Sequence, residues 1–234
     1  MCSKTYKKDW TRENMKTRTI VVGALCTGLA LAGCSGGSDD KKSGDGATSA
    51  PKSGTSSSAA AAPPELPAGY RRIGGSENGL TIGVPKSWKA LDFDQLTKAK
   101  AELGKNGFPA ATVDQVVKTM KQNNAFMAYD PGTARTEHFG NNVNGFCQPG
   151  AAPNADQVKA QLGQIGARNV AIENTTAGGR SAVKVTYEQA GTATLETTQY
   201  VVPADGGRTC YATLTKKKGT DAPFDAMAPT IQVL

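Results

Sequence analysis

One histidine, His138, stands in 234 residues. A Ser-His-Asp or Cys-His catalyst would have to be built on that one position, so the chain offers little to hydrolytic chemistry of those types. Gly132, Gly140, Asn141 and Asn142 surround His138 and predict an exposed, inert loop histidine. No phosphate-binding glycine loop of the Walker or Rossmann form is present. The apolar stretch from Ile20 to Ala32 is shorter than the roughly 20 residues a helix needs to span a bilayer. No twin-arginine pair precedes it, which points to general secretion. Ser35 to Pro64 lacks every aromatic and every large aliphatic residue, so that segment cannot offset the entropy of ordering its chain.

The net charge of +7 is unevenly placed. Residues 1–33 hold six basic and two acidic residues, so four of the seven net positive charges fall there and three on the remainder. A nucleic-acid binder needs a clustered basic face, and a mildly basic remainder supplies none; no nucleic-acid partner is expected. Lys216, Lys217 and Lys218 form the only triple, which is expected at a solvated loop or strand end.

Lys16 and Arg18, the short apolar core and the small residues after it have the order of a secretory leader. Met15 is a candidate true start, which would leave Lys16 and Arg18 as a compact basic region. The leader ends in Leu31-Ala32-Gly33-Cys34. This stretch resembles a bacterial lipobox. The resemblance implies that a diacylglyceryl group is attached to the Cys34 thiol and that cleavage falls between Gly33 and Cys34. Two acyl chains give stable anchoring because each buried methylene contributes about 0.8 kcal/mol, whereas one chain is marginal. The expected location is therefore the outer face of a cytoplasmic membrane, with the membrane itself a partner through the lipid.

Residues 34–65 read as the lipidated cysteine and a flexible tether, with Asp39, Asp40 and Asp45 balancing Lys41, Lys42 and Lys52. A Gly/Ser-type coil of this length reaches roughly 30 Å on average. Within it Ser49-Ala-Pro-Lys52 and Lys52-Ser-Gly54 mimic motifs of penicillin-binding proteins. That chemistry needs a rigid helix, which Pro51 and the composition forbid.

Residues 66–234 are the right size for one globular domain. Tyr70–Ile73 and Gly79–Val84 read as a strand pair around turn residues Ser76, Asn78 and Gly79. Asp92-x-x-Gln95, Thr112-x-x-Gln115 and Asn154-x-x-Gln157 are capping-box patterns that predict three helix starts. Val113, Val116, Val117 and Met120 form an apolar stripe, and Val158, Leu162 and Ile165 form another. Asp92 and Asp94 are better read as helix capping than as a catalytic pair. Strands are predicted at Ala125–Tyr129 and Asn142–Cys147, the latter entered through a polar loop. A meander is predicted at Asn169–Glu173, Ser181–Glu188, Leu195–Val202 and Arg208–Thr215. Alternation of Val183, Val185 and Tyr187 with polar neighbours gives this sheet one wet or loosely covered face. A short helix near Pro223–Ala228 closes the chain. Trp88, between Lys86 and Lys89, is expected to bury its ring at a sheet edge.

This order predicts an α+β protein with helices packed on a mainly antiparallel sheet. The stretches "GLTIGVPKSWKALD", "AGGRSAVKVTYEQ", "TCYATLTKK" and "FDAMAPTIQVL" resemble the PsbP-like (Mog-type) α/β/α sandwich, as in actinobacterial LpqN-type lipoproteins. The resemblance covers about residues 66–234 and implies a fold and a compartment, not one activity. Its members serve as accessory or binding proteins.

Cys147 and Cys210 remain as the cysteines of the body, and export predicts a disulfide between strands or between strand and loop. With His138 they could offer three metal ligands, but the spacing fits no zinc pattern; no metal and no cofactor are expected. The expectation is a non-enzymatic envelope lipoprotein that acts through a protein partner. The alternatives are a carrier of a small hydrophobic ligand and, third, an envelope hydrolase.

Overall fold

The computed structural model describes residues 63–105 and 110–234. Met15, Gly33, Cys34 and the tether up to residue 62 lie outside the described residues.

Two antiparallel sheets carry the architecture. A three-stranded sheet runs β1 (Tyr70–Gly75), β2 (Leu80–Pro85) and β10 (Gln232–Val233). A seven-stranded sheet has the order β3-β4-β5-β9-β8-β7-β6. Its strands are β3 (Lys89–Ala90), β4 (Phe126–Tyr129), β5 (Asn142–Pro149), β6 (Ala167–Ala177), β7 (Arg180–Gln189), β8 (Leu195–Ala204) and β9 (Arg208–Lys217). Among the described residues five α-helices accompany them: α1 (Leu96–Lys105), α2 (Ala110–Gln122), α3 (Pro131–Glu137), α4 (Ala155–Gln164) and α5 (Phe224–Met227). The predicted α+β class and antiparallel sheet are present, and the four-strand meander β6 to β9 extends a few residues beyond its predicted ends.

The large sheet separates two cores. On one face α1, α2 and α4 bury Leu103, Val113, Val117, Met120, Val158 and Leu162 against Met127, Phe146, Val185, Val201 and Tyr211. The helical stripes read from the sequence are the ones that meet the sheet. On the other face Leu80, Ile82 and Val84 of β2, with Met227 and Ile231, cover Ala128, Val143, Val202, Cys210, Ala212 and Leu214. The layer opposite the three long helices is thus the three-stranded sheet together with α5.

Local chemistry explains the element ends. Asn154 caps α4 with a full capping box: its Oδ1 accepts the Gln157 N–H, and the Gln157 Oε1 accepts the Asn154 N–H, both at 2.9 Å. Asp92 accepts the Asp94 N–H and the Gln95 side-chain amide one turn ahead of α1. Helix α2 begins at Ala110, two residues before the Thr112 start. The polar loop expected before β5 instead contains α3. Asp130 accepts the Gly132 N–H at 2.8 Å and Pro131 opens the first turn, where its missing N–H costs nothing. His138 ends that helix in the left-handed conformation, φ +53°.

Cys147 and Cys210 are bonded across β5 and β9, directly opposite in register with Cα atoms 3.9 Å apart. Of the two placements left open, strand-to-strand is the one found. Closing a loop between residues 63 apart contributes about 4 kcal/mol in the chain-entropy account. Gly79, at φ +76°, lies on this bridge, and a Cβ there would sit 2.6 Å from the Cys147 sulfur. The position therefore needs glycine both for its backbone and for its space.

Candidate functional site

At the β3 edge of the large sheet, β3 and β4 meet α1 and α3. Their side chains enclose two adjoining clefts open to solvent. One, of about 420 Å³, is lined by Arg71, Trp88, Lys89, Lys98, Glu102 and Tyr129 among others. The next, about 360 Å³, shares Lys89, Glu102 and Tyr129 and continues to Lys105, Arg135 and His138. Together they form one groove.

Each wall follows from a local rule. Trp88 follows Pro85, whose carbonyl accepts the Trp88 N–H, and its ring is buried in the core beneath the three-stranded sheet as its sheet-edge position suggested. Its carbonyl accepts the Arg71 guanidinium at 2.9 Å, which fixes that cation at one end of the groove. Tyr129 is the last residue of β4, and its side chain turns toward α1. The Tyr129 hydroxyl donates to the Glu102 carboxylate. That bond holds the Glu102 carboxyl below the usual carboxylate range; partial burial opposes the shift, and Lys89, Lys105 and Lys98 add to it. Glu102 is therefore ionised at neutral pH in the middle of the groove. Lys105 lies 3.8 Å from it.

Behind Tyr129 a polar surface runs inward on the same face of the sheet. Register places Tyr129, Asn142, Thr215, Thr197 and Tyr187 in one row across β4, β5, β9, β8 and β7. The next row is Met127, Asn144, Thr213, Gln199 and Val185. The Asn and Thr members of both rows, with Gln199, are buried. Gln199 donates to Thr213 at 3.1 Å, and the Thr197 and Thr215 hydroxyls lie 3.4 Å apart. Asn142 Oδ1 and Asn144 Nδ2 have no hydrogen-bond partner among the described residues. These rows escaped the sequence reading because Asn and Thr alternating with Val, Gly, Ala and Leu look like an ordinary wet strand face.

Other expected residues fall as follows. Cys147 and Cys210 form the disulfide and are not available as metal ligands. His138 is exposed at the α3 end and lines the groove with Arg135. Lys216, Lys217 and Lys218 lie at and just past the end of β9, each in an ion pair, with Glu196, Glu137 and Glu188 respectively. Among the described residues no group of three His, Cys, Asp or Glu could hold a metal ion. No described helix is long and apolar enough to cross a membrane. Cys34 and Gly33 lie outside the described residues.

The missed members of the groove had a readable signal. Asp130-Pro131 is a helix-start pair, and it brings Arg135 and His138 to the groove by building α3 where a loop was expected. The contribution of α1 was not readable, because the partnership of Glu102 with Tyr129 joins residues 27 apart through tertiary packing.

No family model matches the sequence, and no curated relative matches it. Solved structures do. A crystal structure from Bacteroides thetaiotaomicron VPI-5482 is similar over 71% of this chain at 10% identity and TM-score 0.41. The match spans about half, 49%, of that longer chain. Cyanobacterial PsbP (CyanoP) from Synechocystis sp. PCC 6803 is similar over 71% of this chain and 94% of its own, at 11% identity and TM-score 0.40. The second bears the family name to which the sequence resemblance pointed.

Proposed function

We propose that this chain is a non-enzymatic lipoprotein of the bacterial cell envelope, of the LpqN type. In this reading Cys34 is lipidated and holds the domain at the outer face of the cytoplasmic membrane, where it serves as an accessory protein for a protein partner. The observation that carries the reading is Leu31-Ala32-Gly33-Cys34, set between a basic, apolar leader and a tether with no large apolar residue. The Cys147–Cys210 bridge supports it, since disulfides persist in oxidising compartments. Anchoring confines the domain near envelope partners and raises their effective concentration.

The chemistry of the groove favours a protein partner over a hydrophobic cargo. Its walls carry five Lys and Arg residues, and it is open rather than enclosed. Apolar carriers need an enclosed, mostly apolar pocket. The one exposed large apolar side chain among the described residues is Leu234. Recognition through charged groups set beside apolar ones, Trp88, Leu91 and Ala99, is then the route open to this surface.

The test is mass spectrometry of the membrane-extracted protein, paired with the Cys34→Ala variant. The expected result is a mature N-terminus at an acylated Cys34, and release of the variant from the membrane fraction. An unacylated N-terminus at any other residue overturns the reading.

A further inference from the structure

The groove holds more positive charge than its own acids neutralise. Arg71, Lys89, Lys98, Lys105 and Arg135 face Asp92 and Glu102, with His138 and the Tyr129 phenol as the remaining titratable groups. Arg71 is committed to the Trp88 carbonyl, and Lys105 lies beside Glu102. Lys89, Lys98 and Arg135 form no ion pair among the described residues. They lie along the length of two adjoining clefts and do not converge on one point. A single small anion would satisfy one end only.

A second observation is independent of charge. β3 is the outermost strand of the large sheet, two residues long, with Lys89 and Ala90 both exposed. Leu91 donates its N–H to the Met127 carbonyl, and Lys89 stands opposite Tyr129. Antiparallel ladders alternate, so if Leu91 and Lys89 turn their backbone groups to β4, those of Ala90 point away from it. Among the described residues, an open donor and acceptor thus lie in the groove wall. Extended peptides bind such edges by adding a strand.

Resting on the protein-partner reading above, we propose that this groove receives an acidic segment of the partner in extended conformation. Lys89, Lys98 and Arg135 meet its carboxylates, and Ala90 pairs with its backbone. A lipid surface fits less well. The groove is recessed between α1 and α3, and an ionised Glu102 on its floor repels phosphate headgroups. A peptide can place neutral residues opposite Glu102 and acidic ones elsewhere.

The test uses the full chain in detergent micelles and a fluorescent peptide of alternating Glu and Val. Anisotropy reports its binding, with the Lys-Val peptide, inorganic phosphate and phosphatidylglycerol vesicles as comparison arms. Saturable binding of the acidic peptide is expected, weakened about tenfold or more by Lys89→Ala with Lys98→Ala. Ala90→Pro, which deletes the edge N–H, is expected to weaken it separately, by about threefold or more. Urea midpoints keep folding apart from binding, and the lysines are exposed enough that theirs should not move. The proposal is overturned if the acidic peptide does not bind, if the lysine pair leaves its affinity unchanged, or if vesicles show the lysine dependence and the peptide does not. Crosslinking on intact cells separates the two readings. A captured envelope protein alongside a silent groove sinks the groove alone. No captured protein, together with co-purifying lipid, sinks the protein-partner reading as well.

Discussion

The two faces of the seven-stranded sheet are built from different residues. Beneath the three-stranded sheet, Ala128, Val143, Val202, Cys210, Ala212 and Leu214 are closed from solvent entirely. Beneath the long helices, Phe146, Tyr211 and Val201 make an apolar end, and Asn142, Asn144, Thr197, Thr213 and Thr215 fill the rows toward Tyr129. The first face gains the full hydrophobic and dispersion energy of its area. The second gives up part of that energy to bury amides and hydroxyls, and two of those amide atoms lack partners among the described residues. Polar groups retained at such a cost lie beside the groove, whereas the apolar face and its disulfide hold the domain together.

That contrast can be broken most forcefully at Leu214. It is fully buried on the apolar face, and Leu214→Ala is expected to cost about 3 kcal/mol, read from urea denaturation. A cost below about 1 kcal/mol would mean that this face is loosely packed and the contrast false.

A smaller effect is expected where the polar rows meet the groove. Tyr129→Phe removes the hydroxyl that donates to the Glu102 carboxylate and lowers its titration, and should cost about 1 kcal/mol at neutral pH. The sign follows from the depressed carboxyl. Its stabilisation is present above the unfolded-state value near 4.5 and is lost as pH falls through the lower folded value. Wild type and variant should therefore converge in urea midpoint as the solution is acidified below that range. A difference that persists at low pH would show that the tyrosine acts through packing.

The smallest effect is expected on the polar rows themselves. Asn144→Leu replaces an amide whose nitrogen has no partner, and stability should change by less than about 1 kcal/mol or rise. Destabilisation of about 2 kcal/mol or more would mean that Asn144 is satisfied in solution, by bound water for example, and that the polar rows are as well built as the apolar face.

Much of this architecture was legible along the chain. The meander strands read correctly because their alternation and their glycine turns are local. Asn154 to Gln157 read correctly because a capping box closes within four residues. Helix α3 was readable and went unread: Asp130-Pro131 marks its start, but glycines on either side of His138 suggested a loop. β3 and β10, at two residues each, carry no periodicity of their own. They exist because β4 and β2 present open edges to them. The groove was the least legible feature. Its cations come from β1, β3, α1 and α3, four elements that no sequence window spans.

By itself the sequence determined the motif at Cys34, the composition of the tether, the helical stripes and the alternating strands, because each depends on residues a few positions apart. Tertiary structure decided that Cys147 and Cys210 stand opposite one another, that Gly79 must be bare beneath them, and that Asn142 and Asn144 line one surface with Thr213 and Thr215. It also decided that Tyr129 reaches Glu102 and leaves Lys89, Lys98 and Arg135 around them. Strand order and register set those neighbours, and both are fixed only when the whole sheet closes over its two cores.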